Sequence, residues 1–302
     1  MRIKAAYPYK RTAQAMARLE QLIPETLERY DQSLERFKLK LGTGKINSDV
    51  VLSNLEASNR SVILLNYWHY RNTADKVHWY RAMRGLDVVR QVTHATAICL
   101  HLKPDELYTP TIEGLTLELT RYKGMSLMGW VTELCLAVAL RAQQDVEKLL
   151  DIDPRIFSNY ESKFTKKPEY PHLVHQLMRA LILKDQPIEP LMQRYQHDFD
   201  EYQRFERDKL SFLPWYYAVK GDQAAYEQSI RELTQAHIKF DKKSDLPLWD
   251  NHIMTVFPGD LIAAACVAYD THQWRLAHTN DYIPEWWYDL ELRKSGDFKL
   301  GF

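Results

Sequence analysis

Cysteine is scarce in this chain of 302 residues: Cys99, Cys135 and Cys266 are the whole supply, and no two stand at the spacing of a metal clip or a redox pair. An odd, sparse set in apolar helical contexts fits small hydrophobic side chains in a reducing compartment and excludes a disulfide framework. No apolar run approaches the about 20 residues that a membrane-spanning helix needs. The start, Met1-Arg2-Ile3-Lys4-Ala5-Ala6-Tyr7-Pro8, is basic but lacks the apolar stretch of a secretory signal. Excess charge is also missing. Forty basic and forty acidic side chains cancel, which argues against a general nucleic-acid binder and gives no pull toward an anionic membrane. The expectation is a cytoplasmic protein.

Catalytic signatures are missing as well. There is no Gly-x-Ser-x-Gly elbow, no His-Glu-x-x-His, no dinucleotide-binding glycine set, and Gly42-Thr43-Gly44-Lys45 lacks both the preceding strand and the rest of a phosphate loop. His172 and His175 stand one helical turn apart, a spacing metals use, yet no carboxylate or thiol is spaced to complete a set. Asp151-Ile152-Asp153-Pro154 reads as a turn and cap rather than a cation site. The expectation is therefore no metal, no cofactor and no enzyme.

What the chain does contain is helical periodicity. From Thr12 to Leu41 apolar residues recur every three or four positions, with Pro24 a place for a bend and Gly42-Thr43-Gly44 a stop. Ser48 is placed to cap a second helix that runs toward Tyr70, and a third runs from about Thr73 until Pro104. Tyr67, Trp68, Tyr70, Trp79 and Tyr80 cluster between them, which reads as core rather than a base-stacking platform. Residues 104 to 124, with Pro104, Pro110 and Gly114 beside alternating Leu115, Leu117 and Leu119, allow a short β hairpin near 110–122. Ser126 opens the next helix.

From there a pattern recurs. Leu140-Arg141-Ala142-Gln143, Leu183-Lys184-Asp185-Gln186 and Val219-Lys220-Gly221-Asp222 each end an apolar helix on a basic residue, followed by a polar turn and a new helix. The instances lie about 35 to 45 residues apart, the length of one helix pair in a helical array. The fold class is all-α, built of stacked antiparallel helix pairs in a single domain over 1–302: N-terminal helices to 103, a helix-pair array over 124–292 and a tail over 293–302.

Tyr195, Phe199, Tyr202 and Phe205 form an aromatic stripe, with Asp198, Asp200, Glu201 and Asp208 on the opposite, acidic face. Lys239 to Asp250 reads as a charged loop that carries Asp241, Asp245 and Asp250. Both acidic clusters read first as solvated surface and second as contacts for a basic partner.

Four marks near the C-terminus occur in a fixed order: Trp215 to Gly221-Asp222, Tyr226 with a helix that ends Ala236-His237, the small-residue helix Leu261 to Asp270, and Asn280-Asp281-Tyr282-Ile283-Pro284. This arrangement resembles the immunity protein 49 family of bacterial polymorphic toxin systems. Trp130 with Leu136 to Arg141 and Leu149-Leu150 is similar to that family's middle helix pair, and helix 77–100 is compatible with its first half. The resemblance covers about residues 75 to 290; Trp249-Asp250 and the charged loop before them depart from it. It implies a helical inhibitor encoded beside a toxin, which it binds and blocks; it identifies neither the toxin's activity nor the contact residues. Charge supplies the contact candidates: against a basic toxin that acts on nucleic acid, an acidic face can occupy the phosphate site, which singles out Asp198, Asp200 and Glu201, or Asp241, Asp245 and Asp250. The balanced charge adds the expectation of no direct contact with nucleic acid or membrane. Two other classes stay open: a metal-dependent hydrolase centred on His172 and His175, and a helical-repeat adaptor for peptides.

Overall fold

A computed structural model describes residues 13–73, 75–157, 169–202, 209–243, 258–277, 280 and 282–289. The fold is all-α with one small hairpin. Among the described residues, those up to Arg121 form one compact unit and those from Tyr122 onward form a second.

The first unit holds α1 (Ala13–Gly42), α2 (Ser48–Thr73), α3 (Lys76–Cys99) and the hairpin of β1 (Thr111–Ile112) and β2 (Leu115–Thr116). Helix α1 runs on through Pro24. Helix α2 is capped by Asn47 and not by Ser48: the Asn47 side-chain oxygen accepts from the Asp49 amide at 2.9 Å, while the Ser48 hydroxyl accepts from the Glu118 amide of the hairpin at 3.1 Å. Asp75 caps α3 through the Val77 amide. Helices α2 and α3 pack along their length around Val51, Leu55, Ile63, Trp79, Leu86 and Val89, all buried. Gly85 lets them close in, since a Cβ there would stand 3.0 Å from Ile63 and 3.3 Å from the Asn59 carbonyl. Trp79 is buried against Tyr67 and Tyr70, as a core reading requires, whereas Tyr80 is exposed. Ile112, Leu115, Leu117 and Leu119 turn the hairpin's apolar face inward.

The second unit contains α4 (Leu127–Leu140), α5 (Gln143–Leu150), a single 3-10 turn (Pro154–Phe157), α6 (Tyr170–Leu183), α7 (Ile188–Tyr202), α8 (Leu213–Lys220), α9 (Gln223–Lys243), α10 (Gly259–His272) and α11 (Glu285–Tyr288). Ser126 caps α4 by accepting from the Gly129 amide at 3.0 Å. The pairs α4–α5, α6–α7 and α8–α9 are each joined by a turn of a few residues, and α5 packs on α6, α6 on α8, and α8 on α10. Helix α10 then packs back against α4, so the array closes on itself around an apolar centre. Nothing in Ile238-Lys239-Phe240-Asp241-Lys242-Lys243 stops a helix, and α9 continues to Lys243. Lys239 to Lys243 are therefore helical in place of the expected charged loop, and the rest of that stretch lies outside the described residues.

Candidate functional site

The three recurring turns share one backbone device. Arg141, Lys184 and Gly221 each close a helix in the left-handed conformation, at φ of 56°, 56° and 74°, and Gln273 does the same for α10 at 59°. Two of the three basic residues noted in the sequence are thus the caps themselves, and Lys220 precedes one. For a non-glycine residue this conformation costs about 1 kcal/mol, so the side chains there have to repay it.

Arg141 does so. Its guanidinium donates from Nε and Nη2 to the two oxygens of Asp270 on α10, both at 3.0 Å. It also reaches the carbonyls of Ala139 at 2.9 Å, Trp287 at 2.8 Å and Tyr288 at 2.8 Å, with the Cys266 sulfur 3.1 Å away. One side chain therefore ties the end of α4 to α10 and to α11. Burial opposes the charge, but the Cys266 sulfur and the Asp270 carboxylate beside it together raise the guanidinium pKa above its ordinary value.

The fully buried tryptophans follow a parallel rule. Trp130 donates its indole N–H to the Leu149 carbonyl at 2.7 Å, Trp215 to Asp260 at 3.1 Å, and Trp287 to Ala139 at 3.2 Å. Each bond joins one helix to a backbone carbonyl of another, and for Trp130 and Trp287 the acceptor lies in the last turn of its helix; the Ala139 carbonyl that Trp287 meets is shared with Arg141.

His175 belongs to the same scheme. Its ring lies against Trp130 and Phe157 at centroid distances of 5.2 and 6.5 Å, and its Nε2 donates to the Leu150 carbonyl at 3.2 Å. Arg179 donates to that same carbonyl at 2.9 Å. Burial pushes the imidazole pKa down to about 4, so the ring is neutral near pH 7. One of the two ring nitrogens that a metal could use is thus spent on the end of α5. Asp153, the neighbouring carboxylate, is held by Arg155, whose amide and Nε lie 3.0 and 2.6 Å from it; that pairing lowers its pKa to about 2. Among the described residues no three His, Cys, Asp or Glu side chains gather as a metal would require. All three cysteines are buried, and burial lifts the Cys99 thiol to about 12, far from a reactive thiolate.

These bonds gather several helix ends on one rim of the second unit. Arg141 meets Asp270; His272 donates from Nε2 to the Ala218 carbonyl at 2.7 Å and stacks on Trp274 at 4.2 Å; Lys220 pairs with Glu189 at the start of α7. The turns at Gln143-Gln144, Lys184 to Pro187 and Lys220 to Gln223 are exposed along it. The family model described as immunity protein 49 matches residues 72–287, most of the chain. The chain belongs to this family. No curated protein and no solved structure matches it. In this member of the immunity protein 49 family the matched span takes in α3, the hairpin and the whole helix array, and most of Trp130, Arg141, Trp215 and Trp287 inter-helix bonding falls inside it.

The acidic candidates distribute unevenly. Asp198 lies on α7 one turn from buried Tyr195, so these two side chains share a flank of the helix; its carboxylate is only 14% exposed and sits 3.5 Å from Arg194 Nε. Tyr195 packs between Tyr170 and Phe212. Asp200 and Glu201 continue α7 and Asp241 lies in α9, by backbone position alone. Asp245 and Asp250 lie outside the described residues, as does Phe205. Sequence reasoning singled out Trp130 and Trp215 but missed Trp287, His272 and the hub role of Arg141. The available signal was the pairing of a basic helix end at Arg141 with Asp270 at the end of another helix.

Proposed function

We propose that the chain binds, one to one, the toxin domain of a polymorphic toxin made by the same cell, and blocks it in the cytoplasm by covering its active site. The observation that carries this reading is the family match over residues 72–287. The local chemistry agrees with it: buried His175 and the part-buried Arg141 and Arg179 are spent on joining helices, which favours a preorganised surface over a reaction centre. Such a surface needs a standard-sized contact and a few anchors, and charge complementarity speeds capture.

The toxin partner in this reading is encoded next to this chain, and its active site is basic. Asp200 and Glu201 on α7, with Asp241, Asp245 and Asp250, supply the steering charge; Asp198 is held back by Arg194. The inhibitor catalyses nothing, needs no cofactor, and touches neither nucleic acid nor membrane. The test is to express the toxin domain from the adjacent reading frame in cells with and without this chain, and to titrate one purified protein with the other. Survival only with the chain, and a stoichiometry of one, are expected. Equal killing in both strains, or no heat of binding, would overturn the proposal.

A further inference from the structure

The hairpin is a two-stranded sheet with two edges, and the described residues treat them differently. Its turn, Glu113-Gly114, has φ of 52° and 72°, the left-handed pair of a type I′ hairpin. That turn fixes the register: Ile112 faces Leu115, Thr111 faces Thr116, and Tyr108 exchanges hydrogen bonds with Leu119 at 2.9 Å in both directions. In this alternation the N–H and C=O groups of Tyr108 and Ile112 and the C=O of Pro110 point inward, and the N–H and C=O groups of Thr109 and Thr111 point outward. On the β2 edge the Glu118 amide is taken by the Ser48 hydroxyl of α2. On the β1 edge Thr109 and Thr111 are exposed, and their outward backbone groups have no partner among the described residues.

Exposed edges are ordinarily guarded by charge or by proline. Pro110 gives no such protection. Its missing N–H belongs to the inner row, where its carbonyl still accepts from the Leu117 amide at 2.9 Å, so the outer donors are intact. No charged side chain occurs from Leu107 to Ile112, in a chain of which 26% is charged. The outward side-chain row Leu107, Thr109 and Thr111 is open, with Leu107 61% exposed. Two donors and two acceptors alternating along an uncharged edge are complementary to one thing, another extended backbone.

Resting on the inhibitor reading above, we propose that the outer edge of β1 at Thr109 and Thr111 receives an extended, uncharged segment of the toxin domain, which adds to the hairpin as a third strand. A second copy of this chain is the poorer occupant. Three residues of edge bury far less than the about 1,200 Å² that a stable specific interface needs, so the strand belongs to a body that makes further contacts.

The experiment is amide hydrogen exchange on the full chain, alone and saturated with the toxin domain from the adjacent reading frame. The Thr109 and Thr111 amides are expected to slow at least tenfold in the complex, with the inward Leu119 amide little changed. Thr111→Pro, which deletes one outward donor, is expected to weaken binding about tenfold at an unchanged thermal midpoint. A complex that forms while both threonine amides exchange at the free rate overturns the strand addition and leaves the inhibitor role standing. Protection that appears in the chain alone and grows with its concentration assigns the edge to a second copy and also overturns it. A toxin domain that does not bind overturns both readings.

Discussion

Removing the Arg141 side chain tests whether one guanidinium holds the second unit together. It is mostly buried, at 21% side-chain exposure, and it satisfies Asp270 together with carbonyls from α4 and α11. Breaking a buried charge pair by deleting one partner costs about 3 to 5 kcal/mol, because the other partner is left as an uncompensated buried charge. Asp270 is 41% exposed and partly solvated, so the pair itself contributes less than that range, and with the lost bonds to the Ala139, Trp287 and Tyr288 carbonyls about 3 kcal/mol is expected for Arg141→Ala. That is a fifth or more of the roughly 5 to 15 kcal/mol that typically separates folded from unfolded. The backbone adds a second arm. Position 141 sits at φ 56°, where alanine bears about 1 kcal/mol of strain that glycine does not. Arg141→Gly should therefore be about 1 kcal/mol more stable than Arg141→Ala. Arg141→Lys keeps the charge but lacks the fork that reaches both Asp270 oxygens and the carbonyls together, so it should recover less than half the loss. Urea unfolding at constant slope reads all three. An alanine variant within about 0.5 kcal/mol of the parent, the spread of ordinary surface changes, would refute the clasp. Alanine more stable than glycine would refute the account of the turn.

Other consequences can be measured in the same way. His175 has a folded pKa of about 4 against an unfolded value near 6.5, so the unfolded chain binds the proton first as pH falls; stability holds above pH 6.5, drops between 6.5 and 4 by at most about 3 kcal/mol, and levels off below, and His175→Gln should flatten that slope in pH-dependent unfolding. At Gly221, φ 74°, alanine finds room, with the His272 ring 3.9 Å away, so Gly221→Ala should cost only the backbone strain of about 1 kcal/mol by urea midpoint. Lys184→Gly runs the other way: the exposed side chain sits at φ 56°, and its removal should stabilise by a few tenths to about 1 kcal/mol. Trp130→Phe keeps the ring but strands the Leu149 carbonyl and should cost about 1 to 3 kcal/mol in thermal or urea unfolding, and a neutral result would remove the indole bond from the scheme.

Much of the fold was legible because helices are local. The three-and-four spacing of apolar residues, the serine before α4 and the glycine at 221 act over a few residues, and each led to the right element. The hairpin was legible from Gly114 and the alternating leucines. What was not legible depended on distant partners. Ser48 has a cap residue's chemistry, but the hairpin 70 residues on competes for its hydroxyl, and Asn47 caps instead. Arg141 and Lys184 carry no mark of a left-handed backbone, which in sequence is written only as glycine; at 141 the strain is offset by Asp270, 129 residues away. The His172 and His175 spacing suggested a ligand pair, yet His175 turns to a carbonyl 25 residues back, a contact no spacing rule contains. Among the contact candidates, Asp198 read as solvated because its charge said so, and the neighbouring Arg194 and Tyr195 decide otherwise.

The division between scaffold and contact has a consequence for neutralisation. Arg141, His175 and the indoles of Trp130, Trp215 and Trp287 direct their polar atoms at helix ends and at one another. If the contact surface lies elsewhere, an Arg141 variant held well below its melting temperature should bind the toxin domain with an unchanged Kd, and lose protection only as heating unfolds it. A change confined to Thr109, Thr111 or the acidic residues should do the reverse, leaving the unfolding midpoint alone and shifting Kd. Measuring Kd by calorimetry at two temperatures that bracket the variant's melting separates the two. An Arg141 variant that is fully folded and still binds tenfold more weakly would place the rim of α4, α8 and α10 in direct contact with the toxin, because a tenfold loss is about 1.4 kcal/mol of binding that no unfolding accounts for.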